Sequence, residues 1–255
     1  MILQSGKMIG FLMLLTTVSF ILYHIYRAEK GNPANIRKLA ALEAIDELIG
    51  RAAEMGRPVH VTPGASAINH PSEAPQTFAG ISVVNYIASS CAELNLPIIV
   101  TVGQAAVYPI VEEIVRTAYA NEDNIFEPDY VRFIADAYSV AVQGILEREK
   151  PAANIMVGGF YNESVRFAEA GARAGALQVA GTARTYQIPF FVAACDYSLI
   201  GEEIFVAGAY ISGDPVLIGS IAGQDLGKFL SIILILINGI LTALGINWLH
   251  QLLGR

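Results

Sequence analysis

Leu96–Gly103, LPIIVTVG, is apolar and β-branched through most of its length. A strand with one face in water alternates apolar and polar residues. A strand covered on both faces does not, and parallel strands are usually of that kind. The residues on either side have helical spacing. Phe78–Leu94 places Ile81, Val84, Ile87 and Cys91 on one side, and Ala105–Ala120 follows with Pro109 near its first turn. A covered strand between two helices predicts an α/β fold: a mostly parallel sheet with helices on both faces.

The alternation continues outward in both directions. Upstream, Leu39, Leu42, Ile45, Leu48, Ile49 and Ala52 recur at helical spacing over Ile36–Met55, and Gly56 ends that helix. Asn32 or Asn35 suits its N-cap, with Pro33 near the first turn. Pro58–Thr62 is a short strand closed by Pro63-Gly64, and Ala65–Thr77 is a polar loop. Downstream, Asn121–Pro128 is an acidic connector. Asp129–Lys150 has the pattern of one long amphipathic helix, with Val131, Ile134, Ala135, Tyr138, Val142 and Ile145 on its apolar side. Asn154–Gly159 is a strand, and Asn162–Ala174 a helix with Glu163 in its first turn, where a negative charge suits the dipole. Leu177–Gly181 and Ile188–Cys195 are two further strands. Gly201–Ser212 fits helix and strand equally. Asp214-Pro215 starts a helix that runs through Gly219, Gly223 and Gly227. The arrangement expected is Rossmann-like.

Both ends of the chain are far less polar. Met8–Tyr26, MIGFLMLLTTVSFILYHIY, is about as long as a helix needs to cross a hydrocarbon core, roughly 20 residues. Phe229–Leu253 is a second such span. The organisation expected is an N-terminal transmembrane anchor over residues 1–30, a cytoplasmic α/β domain over 31–222 and a C-terminal transmembrane helix over 223–255. The first span is longer than a signal peptide's apolar region, and Ile25-Tyr26-Arg27 is bulky where a cleavage site needs small residues. Arg27, Lys30, Arg37 and Lys38 follow this span and only Lys7 precedes it. By the bias of basic residues toward the inner side, the middle of the chain is cytoplasmic. The expected location is therefore the cell membrane, with the bilayer as a partner.

The 255 residues carry a net charge of -7, which argues against nucleic acid as a partner, because phosphate binding needs a basic face. Two cysteines, Cys91 and Cys195, are no disulfide framework and fit buried thiols.

Several strands end in small residues. In open α/β sheets ligands bind beyond the carboxyl ends of strands, and helix N-termini there hold anions. Gly64, Gly103, Gln104, Gly158, Gly159, Thr182 and Asp196 are the candidate contacts for a small-molecule ligand. The competing reading is that the glycines only allow tight turns. Neither G-x-G-x-x-G nor a P-loop motif follows any strand, so no nucleotide cofactor is implied. His60 and His70 lack metal-ligand spacing, and Ser66, His60 and Asp196 lack the elbow motif of a catalytic triad, so no metal or catalytic residue is expected. In the second span Asn238 and Asn247, with Gly239 and Gly245, favour helix–helix association, although Asn247 and Trp248 also suit the membrane interface.

Arg37–Gly64, Leu96–Tyr119 and Asn154–Thr182 together resemble an uncharacterised prokaryotic membrane-protein family, the domain-of-unknown-function family numbered 6754. The resemblance supports the α/β architecture and the membrane setting and implies no activity. The expected function is that of a membrane-anchored structural or interaction protein forming a homo-oligomer through its α/β domain and membrane helices. The alternatives are a tethered small-ligand binding module or enzyme, and an accessory subunit of a larger membrane complex.

Overall fold

The computed structural model describes residues 8–34 and 39–245. The proposed cap Asn35, the helix start at Ile36, and Asn247 and Trp248 lie outside the described residues. The chain forms two compact units: Arg37–Ser212, and Met1–Ile36 together with Gly213–Arg255.

The second of these units contains α1 (Met8–Glu29), which pairs with the last described helix. The first contains, in order, α2 (Ala40–Met55), β1 (Val59–Gly64), α3 (Ala74–Glu93), β2 (Ile98–Val102) and α4 (Tyr108–Asn121). Next come β3 (Val131–Phe133), α5 (Tyr138–Glu149), β4 (Ala153–Gly159), α6 (Glu163–Ala174) and β5 (Leu177–Thr182). The series closes with α7 (Ile188–Ala194), β6 (Tyr197–Ile200) and α8 (Glu203–Ser212), before α9 (Pro215–Ala243) returns to α1.

The described strands form one six-stranded sheet, ordered β3-β2-β1-β4-β5-β6, in which every pairing is parallel. Every residue of β1, β2 and β4 is buried. Val59, Val61, Ile98, Val100, Val102, Ile155, Val157 and Val179 point to the face covered by α2, α3, α4 and α8. The alternate residues point to the face covered by α5, α6 and α7. There Met156 and Ala180 meet Val142, Leu146, Phe167 and Phe191. The unbroken apolar run of LPIIVTVG is explained by this cover on both sides.

Three sequence-based expectations need correction, and one left open is decided. Asp129–Lys150 is not one helix. A 3-10 turn at Pro128–Tyr130 leads into β3, and α5 starts only at Tyr138. Val131 and Phe133 also alternate with period two. Pairing them with β2 satisfies backbone groups that a lone helical turn would leave to solvent. Left-handed Ala137, φ 50°, breaks the path between the two elements. Ile188–Cys195, rich in β-formers, is helix α7: Pro189 suits a first helical turn and cannot donate in a ladder. The sheet is completed instead by Tyr197–Ile200. Gly201–Ser212 resolves to helix α8. Finally, α3 starts at Ala74, within the stretch expected to be loop, with Pro75 in its first turn.

α9 starts where the sequence indicates, with Asp214 Oδ1 accepting the Val216 amide at 2.8 Å. α1 and α9 are both long and apolar enough to cross a membrane. They pack antiparallel along Gly219, Gly223 and Gly227. A Cβ at Gly219 would lie 2.6 Å from the Ile25 backbone, one at Gly223 2.4 Å from that of Ile21, and one at Gly227 3.1 Å from the Thr17 side chain. Small residues at every fourth position let two helix backbones approach in this way. Gly239, expected to serve association, has open space around it.

Two helical glycines give predictions of opposite sign. A Cβ at Gly80 would lie 2.3 Å from the Val157 carbonyl oxygen and 2.9 Å from Pro63 Cα, both backbone atoms. Gly80→Ala should destabilise the α/β unit by roughly 1–3 kcal/mol through overpacking. Gly50 has nothing within 4 Å. Gly50→Ala should stabilise by up to about 1 kcal/mol through helix propensity alone. Denaturant titration of the full chain measures both.

Candidate functional site

The strand order turns back between β1 and β4. From β1 the chain proceeds to β2 and β3 on one side, and β4 to β6 line up on the other. In open parallel sheets the carboxyl ends at such a switch point flank the usual ligand crevice. Six of the seven predicted site residues lie at this end of the sheet: Gly64 on β1, Gly103 and Gln104 after β2, Gly158 and Gly159 on β4, and Thr182 on β5.

Each of these residues packs against or bonds to the chain itself. The amides of Ala65 and Ser66 donate to the Gly159 carbonyl at 2.9 and 3.2 Å. A Cβ on Gly64 would lie 2.5 Å from that oxygen, one on Gly158 2.0 Å from the Pro63 oxygen, and one on Gly159 2.0 Å from Ser66 Oγ. Gly158, at φ +150°, and Gly64, at φ +88°, also have backbone angles that disfavour side chains. Gly103 faces the Tyr138 ring. The Gln104 side-chain amide donates to the Ala65 carbonyl at 2.8 Å, and Thr182 Oγ1 accepts the Arg184 amide at 3.3 Å.

Asp196 is elsewhere. Because Ile188–Cys195 is helical, Asp196 precedes β6 rather than ending a strand. Its carboxylate accepts the Gln178 amide at 2.7 Å, near the opposite end of the sheet. His60 is buried in mid-strand, so Ser66, His60 and Asp196 do not assemble. Among the described residues no group of three or more His, Cys, Asp or Glu could hold a metal ion. Burial pushes the thiols of Cys91 and Cys195 up to about 12, so both are protonated and unreactive at neutral pH.

Across the crevice lies a cluster that the sequence did not reveal. Arg184 Nη2 pairs with Glu73 Oε1 at 2.9 Å and donates to Ser66 Oγ at 3.3 Å. The guanidinium stacks on the Tyr161 ring, 4.1 Å from its centroid, and Arg184 Nε is buried without a partner. The Tyr161 hydroxyl donates to Glu73 Oε1, and Glu73 Oε2 accepts the Ala67 amide at 3.1 Å. The Tyr161 hydroxyl, and after it the Ala67 amide and Arg184, hold the Glu73 carboxyl below its usual range against the opposing effect of burial. The cluster is thus a closed neutral pair, with no proton donor or acceptor poised near neutrality. Arg184 and Glu73 are 111 residues apart. Only the adjacency of β1, β4 and β5 brings them together, and no local pattern signals that.

A second polar array crosses the sheet face beneath α5 and α6. Gln178 Nε2 donates to the carbonyls of Ala168 and Ala194, so its Oε1 must accept from Asn154 Nδ2, at 2.8 Å. Asn154 Oδ1 therefore faces His60 Nδ1, at 2.7 Å, and that nitrogen carries the proton. His60 Nε2 in turn accepts from the Thr101 hydroxyl at 2.9 Å. The Tyr138 hydroxyl donates to the Thr101 carbonyl at 3.2 Å and accepts from Thr62 at 2.7 Å.

Burial lowers the His60 pKa from 6.5 to about 4, so the folded ring is neutral at physiological pH. Below pH 6.5 the unfolded chain takes up a proton that the folded chain refuses. Stability is therefore complete above pH 6.5 and falls as pH drops toward 4, by about 3 kcal/mol from this group. The depressed Glu73 carboxyl works in the same direction below the usual carboxylate range. Urea titrations between pH 4 and 8 should show the slope, and His60→Gln, which keeps an amide between Asn154 and Thr101, should flatten its pH 4–6.5 part.

No curated protein and no solved structure matches the chain. A family described as a domain of unknown function, DUF6754, matches residues 1–253, and the chain belongs to that family.

Proposed function

We propose that this protein is a prokaryotic membrane-anchored structural and interaction protein, held in the cell membrane by α1 and α9, whose cytoplasmic α/β unit assembles with copies of itself. The observation that carries this reading is an apolar surface along the β6 edge of the sheet. Tyr186, Phe190 and Val192 on and before α7, with Tyr197 and Ile200 on β6, are 38–53% exposed. An edge strand flanked by exposed apolar side chains is a surface that proteins ordinarily cover. The basic residues Arg27, Lys30, Arg37 and Lys38 favour the cytoplasmic side for the chain that follows. Tethering raises the concentration of copies in the membrane plane, so modest contacts suffice.

The strand order β3-β2-β1-β4-β5-β6 supports a second reading: a Rossmann-like unit with a small anionic ligand at the switch point. It is favoured by the unpartnered Arg184 Nε, which a ligand oxygen replacing Glu73 would satisfy. The crevice is otherwise filled by the protein's own groups, so assembly is the better-supported function.

Native mass measurement of the detergent-extracted chain should give more than one copy, and Phe190→Glu or Ile200→Lys should shift it toward one. A single copy at all concentrations would overturn the assembly reading. Thermal shifts with inorganic phosphate or nucleotides, abolished in Arg184→Ala, would instead favour the ligand reading.

A further inference from the structure

α7 reads IPFFVAA and has no polar side chain. Of its seven residues only Phe191 is buried, against the Phe160 ring at 5.2 Å between centroids. Pro189, Phe190, Val192, Ala193 and Ala194 are exposed. A surface helix ordinarily turns charged residues outward, as neighbouring α6 does with Glu169 and Arg173. A helix that is apolar all round is one that something covers. Helix geometry also gives the outer face of α7 a shape. At about 100° per residue, Pro189 and Ala193 point nearly opposite Phe191, and Phe190 and Val192 stand on either side of them. Two compact residues therefore floor a groove between two ridges.

The surroundings of α7 narrow what covers it. The Gly201 amide donates to the Thr182 carbonyl across the ladder at 3.0 Å, so the alternate amide of Ile200 faces the open edge. Glu203 Oε2 accepts that amide at 2.9 Å. A capped edge does not take an added strand, so an extended peptide is a poor fit. Helices that lie among lipid headgroups hold there through Lys and Arg, and α7 has neither. Exposed Asp196 and Glu202, which follow it in the chain, would be repelled by an anionic leaflet. A ridged, grooved and uncharged face is matched by the same face on a second copy, where each ridge enters the other's groove.

We propose that α7 of one copy packs on α7 of another about a two-fold axis, with Phe190 of each seated over the partner's Ala193. The proposal rests on the assembly reading and names its contact: the side chains of two helices, rather than a sheet continued from copy to copy. An axis along the membrane normal keeps both anchors on the same side of the contact. α7 is only about 10 Å long, so the contact is small by itself. Tethering in the membrane plane makes a contact of that size sufficient.

The test is oxidative cross-linking of the full-length chain in phosphatidylcholine vesicles, with the parent chain as baseline for Cys91 and Cys195. Ala193→Cys should give a disulfide-linked dimer at least tenfold above that baseline. Ser89→Cys, exposed on α3, should stay within about twofold of it. In the Ala193→Cys background, Phe190→Ser should reduce the dimer about tenfold and Phe190→Leu less than threefold. Glu203→Ala, which bares the Ile200 amide, should leave the yield unchanged. Equal cross-linking at positions 193 and 89, or a Phe190→Ser chain that cross-links like its parent, would overturn the proposal. So would a yield that rises in Glu203→Ala, which would assign the edge to strand pairing. An Ala193→Cys chain that forms no dimer but reacts with a lipid-borne maleimide would assign α7 to the bilayer instead. A multi-copy detergent particle without the Ala193→Cys dimer would sink this contact and leave the assembly reading standing. A single-copy particle would remove both.

Discussion

The hydrogen bond from His60 to Asn154 joins two strands whose residues are 94 positions apart, and the rest of the α/β unit depends on that pairing. Among the described strands, β1 and β4 are the neighbours that link the β1–β3 half of the sheet to the β4–β6 half. A one-residue slip between them would exchange their two faces. It would carry Val59 and Val61 to the side where Asn154 and Gln178 wait for partners, leaving several polar groups unpaired in a dry interior. The same chain of bonds reaches α6 and α7 through the Gln178 amide and α5 through Tyr138, so strand register and helix placement are set together. The opposite face is built mainly from Val and Ile.

The closed state of the switch point follows from this register. Once His60 faces Asn154, Pro63-Gly64 is carried against Gly158-Gly159 with no room for a Cβ on any of the glycines. In sheets that bind phosphates at this place, the loops diverge and leave backbone amides free. Here the loops converge, and the amides of Ala65 and Ser66 are spent on the Gly159 carbonyl. The remaining charges, Glu73 and Arg184, neutralise each other over the gap. That closure moves the weight of a functional reading from the crevice to the surfaces the unit leaves open.

Much of this architecture was legible in the sequence because burial on both faces leaves an unmistakable apolar run, as in Ile98–Val102. The misreadings occurred where two periodicities coincide. Val131, Ile134 and Tyr138 fit a helix, yet Val131 and Phe133 fit a strand equally well, and only the open side of β2 decides between them. In Ile188–Cys195, aromatic and β-branched residues outweighed the single proline that marks a helix start. The glycines lie at the strand ends as expected, and the backbone around Gly64 and Gly158 leaves no room for a Cβ. Tyr161, Glu73 and Arg184 stayed invisible because their meeting depends on strand order, which local patterns do not encode.

The paired helices show the same priority of packing over solvation. α9 could hide Lys228 and Asp225 from the apolar level of α1 only by sliding along it. Sliding would take Gly219 and Gly223 off Ile25 and Ile21, where backbone contact tolerates no side chain. A shift of a single residue also rotates the glycine stripe by about 100° away from α1. The glycine contacts therefore fix the level of the charged pair along α1.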